Sequence, residues 1–289
     1  MLKELVLTID VDMVDYSSMS NWKEFDELEV AFSRIQKALV EFPNVKTTWF
    51  IRIDSQIEAH FGSSLYVFDK HASKLNWLLE NGHSLGWHHH CYKQEQGRWV
   101  QEDSLSKNIE DVQRYGELAR KQGLSVSRMG WGYMSNEIIS TLEKLGFRAD
   151  STAIPRPNYP WEKNSKDWST TPSLPYFPSV DDYRIPASGG RACSILEIPM
   201  SVAYVPAPGD TVKMMRYVNP AYDLVVFEQA LSELKNLGPD VLIMHPYEIF
   251  LERNDHALFE SNSFEKNLQR CAEHYHTSMT LESWVDVNH

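Results

Sequence analysis

Short apolar runs alternate with longer amphipathic ones along most of the chain. Runs with the length and residue content of strands fall at Glu4–Val11, Thr47–Arg52, Ser84–His88, Ser127–Trp131, Phe147–Ser151, Ser194–Pro199, Val241–His245 and Ser278–Leu281. Helical periodicity fills most of the intervals. Glu27–Val40 carries Leu28, Ala31, Phe32, Ile35 and Leu39 on one stripe, Asp69–Glu80 stops at Asn81-Gly82, and Leu105–Lys121 stops before Gly123. Ser135 caps a run holding Ile138, Ile139, Leu142 and Leu145 that stops at Gly146, and Tyr222–Leu237 and Phe264–Tyr275 complete the set. Strands alternating with helices predict parallel β/α units, and about eight of them in one chain of this length predict a barrel rather than an open sheet. In such barrels chemistry sits at the carboxyl ends of strands, so each polar residue can be judged by whether it falls there.

One region breaks the pattern. Ten of the fourteen prolines lie between Pro155 and Pro208, together with Tyr159, Trp161, Trp168, Tyr176 and Phe177. Aromatic residues at this density need burial or a ligand, which argues against disorder. The segment 155–208 is expected to be an ordered wall or lid over an active site, the alternative being a structural crossover.

Composition narrows the class. The chain has 289 residues, 42% hydrophobic and 24% charged, ordinary for a globular protein that needs no covalent staples. With no repeat, low-complexity tract or linker, residues 1–289 are read as a single domain. The formal net charge of −12 disfavours nucleic acid as a partner. Cys91, Cys193 and Cys271 are too few and too scattered for a disulfide framework. The first twelve residues lack the pattern of a signal peptide, and no run approaches the ~20 apolar residues of a transmembrane helix. These features predict a cytoplasmic protein.

Three groups of residues can carry chemistry. Asp10 and Asp12 close the first strand and project to the same side of it, which requires a cation, a shared proton or solvent to offset their repulsion. Taken alone, a solvated pair is the commoner explanation. His88-His89-His90 follows the third strand; on an extended backbone His88 and His90 point one way and His89 the other. Two imidazoles with one carboxylate make a three-ligand set that leaves a position for water, as catalytic zinc sites do, and a polar surface turn is the alternative. His245 ends the apolar run Val241–Met244, and by itself is more often structural. Arg128 stands near the start of a fourth run, where it can orient a carboxylate or make a surface ion pair.

Taken in order, these motifs resemble the NodB-homology polysaccharide deacetylases. The counterparts read TIDVD at 8–12, TTWFI at 47–51, GHSLGWHHH at 82–90, RMGWGYMSNEIISTLEKLGFRADS at 128–151 and VLIMH at 241–245, spanning nearly the whole chain. The resemblance implies a distorted (β/α) barrel of about seven parallel strands holding a divalent metal, zinc for preference. It further implies Asp10 as catalytic base, Asp12 and His88 as metal ligands, Arg128 as the residue steadying the base and His245 as general acid. Three positions depart from the pattern. Val11 separates the two acids. The usual second histidine position is Tyr92, so that His90, with His89 as the alternative, completes the ligand set. Gly130-Trp131 replaces the usual proline after the motif arginine. Trp131, Asp167, Trp168 and Tyr176 resemble substrate-pocket residues.

The implied reaction is removal of an N-acetyl or N-formyl group from an amino sugar. For a cytoplasmic member the expected substrate is a biosynthetic intermediate of a polysaccharide or O-antigen, nucleotide- or lipid-linked. Two other readings remain at this point: a metal-free amide hydrolase of the allantoinase-like type, and an inactive barrel that binds carbohydrate through Trp161, Trp168 and Tyr176.

Overall fold

The computed structural model describes residues 3–12, 27–159, 167–207, 214–234, 237–252 and 257–289. Trp161 and the end of the proline-rich segment at Pro208 lie outside them. Seven parallel strands run in the order β11(Asp240–Met244), β1(Glu4–Val11), β2(Thr47–Arg52), β3(Ser84–His89), β6(Val126–Met129), β7(Ala149–Asp150) and β8(Leu196–Glu197), with β12(Thr277–Ser278) beside β1. The sheet curls into a distorted (β/α) barrel. Its open seam is bridged by irregular backbone: Ser201 N–H donates to Val241 O at 2.9 Å and Ile243 N–H to Val218 O at 3.1 Å.

Period-two alternation sorts side chains into two apolar populations. Leu5, Leu7, Ile9, Val11, Trp49, Ile51, Leu85 and Trp87 belong to the large core beneath the helices. There α1(Glu27–Glu41) stacks Phe32 on Trp49, ring centroids 4.7 Å apart. Val6, Phe50, Val126 and Val241 form the second cluster, inside the barrel. Its floor is α9(Leu281–Asn288), which contributes Leu281, Trp284 and Val285 and fixes itself through Trp284 Nε1–H donating to Glu4 Oε2 at 2.9 Å.

That helix corrects the sequence reading, which extends a strand to Leu281. The strand stops at Ser278, and Thr280 caps a helix by accepting from Ser283 N–H at 3.1 Å. The expected helix Asp69–Glu80 divides into α3(Tyr66–Lys70) and α4(Ala72–Glu80) at the buried His71. The strands expected at Phe147–Ser151 and Ser194–Pro199 shrink to two residues each, β7 and β8, because irregular chain supplies the neighbouring contacts. A hairpin, β4(Tyr92–Glu95) with β5(Arg98–Gln101), was not anticipated; Gln96 and Gly97 both take positive φ, as a primed two-residue turn requires.

The helices α5(Leu105–Lys121), α6(Asn136–Lys144), α7(Leu224–Glu233) and α8(Phe264–His274) lie where the pattern puts them. Among the described residues no helix is long and apolar enough to cross a membrane.

Candidate active site

The alternation that packs Val6, Phe50 and Val126 inside the barrel carries the same strand faces upward to polar residues. Asp10 and Asp12 on β1, Arg52 on β2, His88 on β3, with His90 just beyond it, and Arg128 on β6 share the interior face, since each differs in number by an even step from its apolar strand-mate or neighbour in register. All six are at most 5% exposed. His245 follows the last strand on the far side of the opening. All of these but Arg52, which stands behind Asp12, line a pocket of about 410 Å³ at the carboxyl ends of the strands.

Three donors converge there: the Asp12 carboxylate and the Nε2 atoms of His88 and His90 lie mutually within 4.8 Å. His90 Nε2 is 2.9 Å from Asp12 Oδ2 and 3.0 Å from His88 Nε2. His88 Nδ1–H donates to the Arg128 carbonyl at 2.9 Å, which leaves its Nε2 as a bare lone pair aimed at the other two atoms. Burial, assisted by Arg52 and only partly opposed by Asp12, pushes the His90 imidazole down to about 4, so it is neutral at physiological pH. Burial would raise the Asp12 carboxyl, but the Arg52 guanidinium, then His90 and His88, hold it well below the usual carboxylate range. One proton cannot satisfy three converging acceptors, whereas a cation at their centre satisfies all of them. Two imidazoles and one carboxylate therefore fit a divalent metal.

The surroundings arrange the donors one by one. Arg52 Nη1–H donates to Asp12 Oδ1 at 2.5 Å, leaving Oδ2 turned to the histidines, while the rest of the guanidinium binds Asp54 and Gln56. Asp54 caps α2(Ser55–Phe61) through the N–H groups of Gln56 and Ile57. The Tyr92 ring stacks on His90, centroids 4.8 Å apart. Gly130 makes the second histidine position possible, since a Cβ there would overlap the His90 ring. A side chain at position 130 and the imidazole of His90 could not share this space.

His89, the alternative ligand, faces the helical side. Its Nδ1–H donates to Ile53 O at 3.3 Å and its ring lies 5.0 Å from Trp87 and 5.8 Å from Tyr115. It is two residue faces away from the donor cluster.

Beside the triad, Arg128 braces Asp10. Its Nη1–H groups reach Asp10 Oδ1 at 2.8 Å and Thr8 Oγ1 at 2.7 Å, while Nε–H and Nη2–H hold Ser151 O and Oγ. Across the pocket, His245 Nδ1 stands 3.1 Å from Glu248 Oε1. Glu248 is fixed by His245 N–H at 2.6 Å and Asn219 Nδ2–H at 2.7 Å. Burial lowers the His245 imidazole, but Glu248, with smaller help from Asp10 and Asp12, raises it to about 9.

Of the residues proposed for the substrate pocket, Trp131 lines it, 38% exposed and 6.0 Å from the His90 ring. Its backbone is left-handed, φ 57°, a strained conformation for a large side chain. Asp167, Trp168 and Tyr176 are absent from the described lining. Trp168 is buried and donates Nε1–H to Gly132 O, bracing the loop that carries Trp131; Tyr176 donates to Tyr183 O; Asp167 pairs with Arg184 at 3.2 Å. Asp167 and Tyr176 use their polar atoms inside the proline-rich segment, and Trp168 ties that segment to the Gly132 loop. The wall is made by Ile154, Arg156, Met200, Tyr217 and Tyr247. Sequence reasoning passed over Arg52 and Glu248, although an arginine closing an apolar strand and an acid three residues after His245 were visible signals.

No protein-family model matches the chain, and none of the curated proteins matches it. Solved structures do. A protein assigned as a polysaccharide deacetylase from Mycobacterium smegmatis superposes with TM-score 0.56 at 16% identity, over 99% of this chain and 90% of the other. The 4-alpha-glucanotransferase of Thermococcus litoralis gives 0.55 at 12% identity, over 99% of this chain and 40% of that longer one. A family 4 carbohydrate esterase from Streptomyces lividans in complex with acetate covers 94% and 86% at 10% identity, but its TM-score of 0.43 carries no argument. The chain thus has the fold of polysaccharide deacetylases. A glucanotransferase shares that fold, so the chemistry has to be argued from the site.

Proposed function

We propose that the protein is a metal-dependent hydrolase that removes an N-acyl group, acetyl or formyl, from an amino sugar. The observation that carries this reading is the convergence of Asp12, His88 and His90 beside an arginine-braced Asp10 and opposite His245, whose Nδ1 stands 3.1 Å from Glu248. Asp12, His88 and His90 would hold the divalent ion, zinc being the natural choice for a carboxylate and two imidazoles. When bound, such an ion supplies a Lewis acid that polarises the acyl carbonyl and acidifies water.

The remaining work falls to side chains. Asp10 accepts the proton of the attacking water, its carboxylate aimed by Arg128, which Thr8 Oγ1 helps to hold in place. His245, protonated at neutral pH by virtue of Glu248, gives its proton to the departing nitrogen as the amide C–N bond breaks. One water is consumed, and a carboxylate and an amine are released. Trp131 on one side and Tyr217 and Tyr247 on the other offer aromatic faces of the kind that hold sugar rings.

The test combines elemental analysis with turnover. The purified protein is expected to carry about one divalent ion per chain, to lose it in His88→Ala, and to release acetate or formate from N-acyl amino sugars. Absence of metal after reconstitution, with activity on cyclic amides, would move the assignment to the metal-free type. Sugar binding with neither metal nor turnover would move it to the inactive barrel.

A further inference from the structure

The seam of the barrel brings to the pocket a hydroxyl that the reaction described above does not use. β10(Met215–Tyr217) pairs with β9(Val202–Tyr204), and the chain then crosses the gap between β8 and β11. Val218 N–H donates to Ser201 O at 3.0 Å and Val218 O accepts from Ile243 N–H at 3.1 Å, so this short stretch takes the place of a closing strand. The Val218 side chain is buried in the core beneath the helices. Neighbours along an extended chain face opposite ways, and Tyr217 accordingly projects into the barrel mouth, where it lines the active-site pocket.

Its place around the opening is informative. Strand order puts the seam beside β11, which leads into His245, and across the opening from β3, which carries His88 and leads into His90. Tyr217 also lines a second cavity of about 320 Å³ that continues the pocket, with Ile154, Arg156 and Tyr247 shared between the two. The phenol thus stands at the neck joining them. If the acyl oxygen lies at the triad and the nitrogen faces His245, the substrate atoms just beyond the nitrogen come to this neck.

The hydroxyl there is a donor without an internal acceptor. The Tyr217 carbonyl accepts from Tyr222 Oη–H at 3.3 Å, whereas among the described residues the phenol itself has no hydrogen-bond partner. Burial, then the charge of Glu248, the phenols of Tyr222 and Tyr247 and the charge of Asp10, push it well above the usual tyrosine range, so it keeps its proton. Its neighbours in the lining are committed: Arg128 donates to Thr8, Asp10 and Ser151, and His88 Nδ1–H to the Arg128 carbonyl. A half-buried O–H that faces a pocket and meets no protein acceptor is placed to donate to a ligand oxygen. In an amino sugar, the oxygens nearest the nitrogen on the side away from the acyl group are those on the two carbons adjacent to the nitrogen-bearing one.

Resting on the proposed deacylase reading, we infer that Tyr217 determines specificity by donating its O–H to an oxygen on a carbon adjacent to the one that bears the acylated nitrogen. The substrate class is then an N-acyl vicinal amino alcohol rather than any N-acyl amine. The contact is to a part of the substrate that does not react, so it is the same before and in the transition state and acts on KM.

Tyr217→Phe removes the hydroxyl and keeps the ring. The probes are N-acetylglucosamine and N-acetylgalactosamine, each with analogues deoxygenated at either carbon adjacent to the nitrogen-bearing one. Binding is read by calorimetry on EDTA-treated protein, and turnover by acetate release from metal-loaded protein. The variant should bind a parent sugar about tenfold more weakly and raise its KM about tenfold, with kcat within about threefold. One of the deoxy analogues should bind the unmodified protein more weakly by about the same factor, and bind the variant no worse than that. A loss in the variant that is equal for the parent and both analogues overturns the inference, because the phenol then acts on the amide or on packing. An unmodified protein that does not distinguish the parent from either analogue overturns it without need of a variant, and so does binding of none of these sugars. Binding that depends on Tyr217 and on one hydroxyl, without acetate release, keeps the inferred contact and overturns the deacylase reading. Acetate release indifferent to Tyr217 and to both hydroxyls does the reverse.

Discussion

The pocket has two walls built in different ways. From Glu4 to Met129 its floor and one side are strand ends. Asp10, Asp12, Arg52, His88 and Arg128 are fixed by sheet register, and every one is buried in an ion pair or hydrogen bond. Among the described residues from Ser151 to Tyr247 the pocket side is largely loop and short strand, and Ile154, Arg156, Tyr217 and Tyr247 there are half-exposed. Register fixes a side chain to within a fraction of an ångström, which is what a metal donor or a base requires. Irregular chain can vary without disturbing the barrel, which suits the part of a site that distinguishes substrates. On the proposed reading the strand-end wall holds the base and the metal donors, His245 stands opposite as the acid, and the irregular stretches are left for recognition.

Substitutions grade this contrast. The largest effect is expected on the strand-end wall: Asp10→Asn should lower kcat by about 10²–10⁴-fold with metal content unchanged. Activity retained within tenfold would remove Asp10 from the role of base. Next comes Gly130→Ala, whose methyl group must displace the His90 ring. Metal affinity, measured by competition with a chromophoric chelator, should fall about 10–100-fold. An unchanged affinity would mean that His90 is not a ligand.

On the far side of the pocket, Glu248→Gln should act through pH. With His245 at about 9 its protonated form persists through neutrality, so the alkaline limb of the kcat profile should lie near that value. Loss of the glutamate charge should move the limb toward the ordinary histidine value, costing as much as about 30-fold at pH 8 and little at pH 5. The sign for stability is the same. A raised folded-state pKa contributes stability that is complete below about 6.5 and lost as pH rises through about 9, so the variant's Tm should depend less on pH across that interval. A limb that stays in place would detach Glu248 from His245.

The smallest effect is expected at Trp131, on the turn that follows β6. Trp131→Gly removes a left-handed tryptophan and should stabilise the fold by about 1 kcal/mol while raising KM and sparing metal content. A fall in metal content would place Trp131 in the chemistry and blur the division between the walls.

Much of this was legible in residues. The alternation of Leu5, Leu7 and Ile9 with Thr8, Asp10 and Asp12 announces a strand and the face its acids share, and the same parity separates His88 and His90 from His89. The helix 281–288 was also readable, since Leu281, Trp284 and Val285 follow a threonine at helical spacing, but a short β-type run masked it. Arg52 and Glu248 were visible as an arginine closing an apolar strand and an acid three residues after His245, but nothing near them in sequence says which carboxylate or imidazole they meet. Asp167, Trp168 and Tyr176 drew attention as polar aromatic residues in a proline-rich stretch, and the fold uses them to brace that stretch.

By itself the sequence determined the parallel β/α succession, the strand-end position of Asp10, Asp12, His88, His90 and His245, and which of three adjacent histidines share a face, because periodicity is a local property of the backbone. Tertiary structure alone decided that the Arg128 carbonyl selects the His88 tautomer, that Gly130 makes room for His90, that Glu248 charges His245, and that Tyr217 faces the pocket from the seam. Each of those depends on the through-space approach of residues far apart along the chain or on which way a short turn is bent, and the order of residues does not encode such distances.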